Sequence, residues 1–142
     1  MSEQLKDTPN KETIRKSFKK NDLISQTKII DEKLAILLGK YFVCEKLAKY
    51  IIRSSYEDEK NLNLMKLKKT LSKHKVEIDS IILDTIFCTS SNNCEIKSLR
   101  NIRNEIVHNA SLASKDLADT NFDKYNHYLD IILKEFYDKV AH

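Results

Sequence analysis

Glycine and proline are almost missing. The 142 residues hold one of each, Gly39 and Pro9, where average usage of roughly 7% and 5% gives about 17 together. Hairpin turns and β-bulges draw on both residue types, so a hairpin-rich β protein is excluded. Gly-rich phosphate loops go with it, because no pair of glycines lets the backbone approach a pyrophosphate. Long apolar runs are missing too: no stretch nears the roughly 18 residues of a membrane span. What remains is an all-α chain. Its length allows one domain with one sizeable core, and 41% hydrophobic against 32% charged residues excludes wholesale disorder.

Cysteine is sparse and odd in number: Cys44, Cys88 and Cys94. The chain starts on the polar stretch MSEQLKDTPNKETIRKSFKK, with no apolar signal segment. A reduced, cytoplasmic setting is expected. The cysteines and the scattered His74, His108, His127 and His142 do not follow a zinc spacing. No metal and no cofactor is therefore expected, and the cysteines read as small hydrophobes of a core.

Charge is uneven. Six lysines (Lys60, Lys66, Lys68, Lys69, Lys73 and Lys75) and no carboxylate lie between positions 60 and 75, so this window carries +6 of a net +4 and leaves −2 for the rest. On a helix, Leu64, Leu67 and Leu71 share one face, with Lys66, Lys69 and Lys73 on the opposite one. That stripe is either a solvated face or a track for a phosphate backbone.

Apolar periodicity places four or five helices in an up-and-down bundle. The first runs from Thr27 to Arg53, with Ile30, Leu34, Leu37, Tyr41, Cys44, Ala48 and Ile51 in steps of 3 and 4. A turn over Ser54–Glu59 leads to helices at Leu62–His74 and at Val76–Phe87, the latter with Ile78, Ile81, Ile82, Leu83 and Ile86 apolar. CTSSNNCE reads as a loop in which Asn92 and Glu95 open a capping-box-like start. The fourth helix is expected over Glu95–Asn109. After ASLASKDLADT, Thr120 with Asp123 is expected to cap the last helix, whose apolar positions are Phe122, Tyr125, Leu129, Ile132 and Phe136. The stripe Phe122, Tyr125, Tyr128 and Tyr137 reads as core and dimer surface before it reads as a base-stacking platform. Residues 1–22 are expected to form a partly flexible N-terminal segment, either frayed or a short helix over Thr13–Lys20, and 23–142 the helical domain.

The fourth helix carries the chemistry. On a wheel with Arg100 at the origin, Ile96, Leu99, Ile102, Ile106 and Ala110 span an arc from about 200° to 320°, and Arg103 falls inside it at about 300°. An arginine there loses hydration unless something binds its guanidinium. Asp31, Glu32 and Glu45 are candidate partners. Asn104 and His108 lie four apart on one ridge. A guanidinium fork, an amide and an imidazole along one edge of a helix form a set able to handle phosphate. Taken singly, each residue also has a structural role open to it.

Arg103-Asn104-x3-His108 resembles the Arg-polar-x3-His motif of the HEPN superfamily, an all-helical domain named for nucleotide binding in higher eukaryotes and prokaryotes. The motif closes the penultimate helix, a long apolar helix precedes it, and the resemblance spans about residues 25 to 140. It implies a metal-independent endoribonuclease of toxin-antitoxin or antiphage defence, acting on RNA as a homodimer, with an antitoxin or regulatory protein as a further partner. In such an enzyme the RNA 2′-OH attacks the adjacent phosphate. His108 would serve as general acid or base, since imidazole titrates nearest neutral pH. Arg103 would hold the phosphate, and Asn104 would orient His108 or a phosphate oxygen. One motif histidine per chain makes a homodimer the natural source of an acid and a base. The resemblance also strengthens Lys66, Lys69 and Lys73, with Lys97 and Arg100, as an RNA track.

The pattern departs from the superfamily at one point. Members paired with a nucleotidyltransferase antitoxin often carry Tyr two residues after the motif His, where this chain has Ala110. Proteins resembling the mannitol operon repressor share the Arg-Asn-x3-His pattern, and the stretch Asp31–Phe42 is similar to that group. That likeness implies a different role: a non-catalytic helical dimer that binds a partner protein or regulates transcription.

Overall fold

The computed structural model describes residues 29–89 and 96–141. The expected N-terminal segment 1–22, the helix over Thr13–Lys20, the helix start at Thr27, the Asn92–Glu95 cap, Cys94 and His142 lie outside the described residues. The described chain is an all-α bundle of six helices: α1 Glu32–Arg53, α2 Leu64–Lys73, α3 Ser80–Phe87, α4 Leu99–Asn109, α5 Leu112–Thr120 and α6 Phe122–Ala141.

Short polar residues start the helices. Asp31, Asn63, Asp79, Ser98 and Ser111 each accept a hydrogen bond from a backbone N–H two or three residues on, which satisfies one of the unpaired donors of the first turn. These caps correct several expected boundaries. The third helix begins at Ser80 rather than Val76, because Lys75 turns left-handed (φ 59°) and Asp79 supplies the cap. The fourth begins at Leu99 behind Ser98, so Ile96 precedes the helix. The expected loop ASLASKDLADT contains α5, and Thr120 is that helix's last residue rather than a cap for the next. Ile30 precedes α1 and, like Ile81, is exposed rather than part of the apolar seam.

The core follows the expected period. Leu34, Leu37, Tyr41, Cys44, Ala48 and Ile51 of α1 are buried, and so are Tyr125, Leu129, Ile132 and Phe136 of α6. Tyr41, Phe87 and Phe136 form a ring stack at its centre, with centroids 5.9 and 6.5 Å apart. The aromatic stripe divides accordingly: Tyr125 is buried, Phe122 and Tyr128 are half-buried, and Tyr137 is exposed. Cys44 and Cys88 are buried. Burial, with Asp130 adding to it, pushes the Cys44 thiol up to about 12, which makes it inert as a nucleophile.

The two long helices run in the same direction. Lys33 lies 5.5 Å from the Phe122 ring centroid, and Lys40 donates at 2.7 Å to Asn126 Oδ1 and Asp130 Oδ1, so both chains advance together. Strict alternation over six helices would leave the first and last antiparallel. The up-and-down order is therefore broken, and four short helices carry the chain back to the start of α6.

Candidate functional site on helix α4

Both ends of α4 are tied down by groups outside it. At its start, the Ser98 hydroxyl donates to the Cys88 carbonyl, and the Tyr125 hydroxyl donates to that of Lys97. Arg100 Nη1 donates to the carbonyls of Leu62 at 3.0 Å and Phe87 at 3.3 Å. Arg100, expected on an RNA track, thus joins the approach to α2 and the end of α3 to α4. Leu99, Ile102 and Ile106 bury the core face.

At the far end, Glu105 Oε1 accepts from Lys97 Nζ and from the Ser114 hydroxyl, each at 2.7 Å. Ser114 is fully buried in α5. The hydrogen bond from Lys97 holds the Glu105 carboxyl below the usual carboxylate range, with Ser114 assisting and desolvation opposing. This bridge clamps α5 against the turn of α4 that precedes His108. The helix closes on Ala110 in the left-handed region (φ 49°), with Ala110 N–H bonded to Ile106 O and Ser111 N–H to Glu105 O.

Arg103 is half-buried at the edge of the core arc, and its Nη1 donates to Asn104 Oδ1 at 2.8 Å. None of the expected carboxylates pairs with it among the described residues. Asp31 caps α1 and accepts from Lys115 at 2.8 Å; Glu45 accepts from the Tyr41 hydroxyl at 3.2 Å and lies 3.9 Å from Lys49. Burial holds the Tyr41 hydroxyl well above its ordinary value, Glu45 adds to that, and the nearby Arg100 and Arg103 charges oppose it. Asn104 is engaged with Arg103, and among the described residues no hydrogen bond links it to His108. His108 stands exposed in the last turn. The two adjacent motif residues are therefore mutually bonded, with the imidazole one turn further on at the surface.

The lysine track divides when its partners are known. Lys66 pairs with Glu59 at 2.5 Å beneath the Tyr56 ring, and Lys97 pairs with Glu105. Lys69 and Lys73 are exposed and carry no ion pair among the described residues. The five expected residues do not form one continuous free stripe. Glu105 and Ser114 were missed by sequence reading. Glu105 lies about 60° from His108 on the wheel, outside any apolar or basic pattern, and Ser114 sits in a helix that the apolar period does not show.

Three surface cavities are lined by described residues, and Arg103, Asn104 and His108 line none of these three. Among the described residues no three His, Cys, Asp or Glu side chains come together as a metal site requires, and no helix is long and apolar enough to cross a membrane. Comparison of the chain with protein-family models, curated proteins and solved structures found no match.

Proposed function

We propose that the chain is a HEPN-type, metal-independent endoribonuclease that works as a homodimer in toxin-antitoxin or antiphage defence. The observation that carries this reading is the Arg103–Asn104 hydrogen bond on a helix whose last turn presents an exposed His108. The bond fixes one side of a guanidinium that otherwise has no partner among the described residues, leaving its remaining N–H groups to bind a phosphodiester.

The chemistry needs proton transfer and charge stabilisation. A base removes the 2′-OH proton, the 2′ oxygen attacks the adjacent phosphorus, and the P–O5′ bond breaks. A 2′,3′-cyclic phosphate and a 5′-hydroxyl result, the latter taking its proton from an acid. His108 of each protomer supplies one of these roles, and Arg103 stabilises charge on the phosphoryl oxygens.

The test is incubation of the purified chain with RNA in EDTA, alongside His108→Ala and Arg103→Ala. Cyclic-phosphate ends produced by the wild type and lost in both variants, with helicity and dimer intact, support the reading. An inactive wild type sinks it in favour of the non-catalytic, partner-binding dimer.

A further inference from the structure

We propose that Lys69, Lys73, Ser55 and Thr70 form a phosphate-binding pocket between the end of α1 and the last turns of α2, separate from the α4 motif. These residues and Tyr56 line a cavity of about 240 Å³. That is below the roughly 300 Å³ at which small-molecule sites begin, so it suits a single tetrahedral oxyanion rather than a whole nucleotide.

Two observations point to a ligand here. The first is uncompensated charge. Both cations that line the cavity among the described residues belong to α2 at positions i and i+4, where like charges repel, and no described carboxylate lines it. The other two cavities differ. One sets Glu77 and Asp79 beside Lys68 and Lys75, and the other sets Asp84 beside Lys68 and Arg100, both of which already have partners.

The second observation is independent of charge. The side-chain hydroxyls of Thr70 and Ser55 are buried without a hydrogen-bond partner among the described residues, and Thr70 is only 1% exposed. Buried polar groups are bonded in most native structures, and an unmade bond is costly. Lysines near a helix C-terminus complement the exposed carbonyls with no ligand at all, so Lys69 and Lys73 alone would not mark a site. Two donors with no acceptor among the described residues, beside two ammonium groups with no ion pair there, do. A phosphate in the cavity accepts from the two ammonium groups, and from the two hydroxyls once the side chains that cover them shift aside.

A phosphate of this kind comes from a nucleic-acid backbone or from a free mononucleotide. The experiment titrates the full chain with sodium phosphate against sodium chloride at matched ionic strength, following thermal unfolding and amide shifts. A saturable, phosphate-specific rise in Tm is expected. Lys69→Met, Lys73→Met and Thr70→Val should each weaken binding by about tenfold, the loss of roughly one charge-assisted hydrogen bond. Thr70→Val should leave the phosphate-free Tm unchanged or higher, because it removes a hydroxyl that has no partner. Should that variant not fold, Ser55→Ala serves in its place. Lys60→Met, from the same basic window but outside the cavity, should have no effect. A short single-stranded RNA that displaces phosphate assigns the backbone as source, whereas AMP that displaces it when RNA does not assigns the nucleotide. No saturable response, or equal weakening by Lys60→Met, overturns the pocket. Because binding is read without cleavage, failure here is distinct from failure of the ribonuclease reading.

Discussion

The last turns of α2 and α4 close in the same way and differ in what their polar groups touch. Each ends on a left-handed residue that is not glycine, Lys75 and Ala110. Each folds the next N–H back onto a carbonyl five or six residues earlier, Val76 onto Leu71 and Ser111 onto Glu105. At α4, Glu105 is bonded to Lys97 and Ser114, and Arg103 to Asn104. At α2, among the described residues, Lys69 and Lys73 have no ion pair and the neighbouring hydroxyls of Ser55 and Thr70 have no partner. Two helix ends with similar backbones therefore differ in their partners, one bridged to its neighbours and the other with polar groups unmet among the described residues. Charge counted along the chain does not show which cations have partners; the fold does.

The largest contrast is in activity. His108→Ala should lower RNA cleavage by about 100-fold or more, measured as cyclic-phosphate product, while Lys69→Met leaves the turnover of bound RNA unchanged. Since His108 is exposed, the substitution should not alter the urea midpoint. A lost fold in that variant would break the assignment of α4 as the chemical end.

Stability should show the next effect. Glu105→Ala strands the buried Ser114 hydroxyl, at a cost of about 1–3 kcal/mol in urea unfolding. The same bridge has a pH signature. The folded-state pKa of Glu105 is depressed, so its contribution is full above the ordinary carboxylate value of about 4.3 and is lost as pH falls through the lower folded value. Glu105→Gln should flatten that part of the stability–pH curve; an unchanged slope would mean the bridge is not formed in solution.

Glycine placement gives the smallest effects. Ala110→Gly and Lys75→Gly should each stabilise by about 0.5–1 kcal/mol, because the left-handed region disfavours a Cβ. Gly39 lies inside α1, where an added Cβ meets nothing within 4 Å; Gly39→Ala should add about 0.5–1 kcal/mol by helix propensity. The measurement is the urea midpoint at constant m-value. Equal gains at Ala110 and Lys75 would confirm that the two turns are alike in backbone, and a loss at Ala110 would show that His108's turn depends on more than its dihedral angles.

The long helices could be read from the chain because their buried positions are large and apolar, and recur every three or four residues. α5 could not. Its buried residues are Ser114 and Ala118, while Leu112, at 63% exposed, and Leu117 face outward. A helix that buries small residues against a neighbour leaves no apolar period to detect. The start of α4 was misplaced for a related reason, since Ile96 is apolar but lies before the Ser98 cap. At the candidate site, the motif residues were visible as residue types on one helix edge, but Arg103's partner proved to be the adjacent Asn104 rather than a carboxylate of α1.

The sequence by itself determined the helical class, the apolar seam of α1 and α6, and the placement of Arg103, Asn104 and His108 on one helix, because helix period and spacing are local properties. Tertiary structure alone decided which charges remain free. Lys66 meets Glu59 seven residues away, Lys68 meets Asp84 sixteen away, and Lys115 reaches Asp31 across 84 residues. An ion pair depends on distance in space, and a bundle brings together side chains whose separation along the chain carries no trace of it.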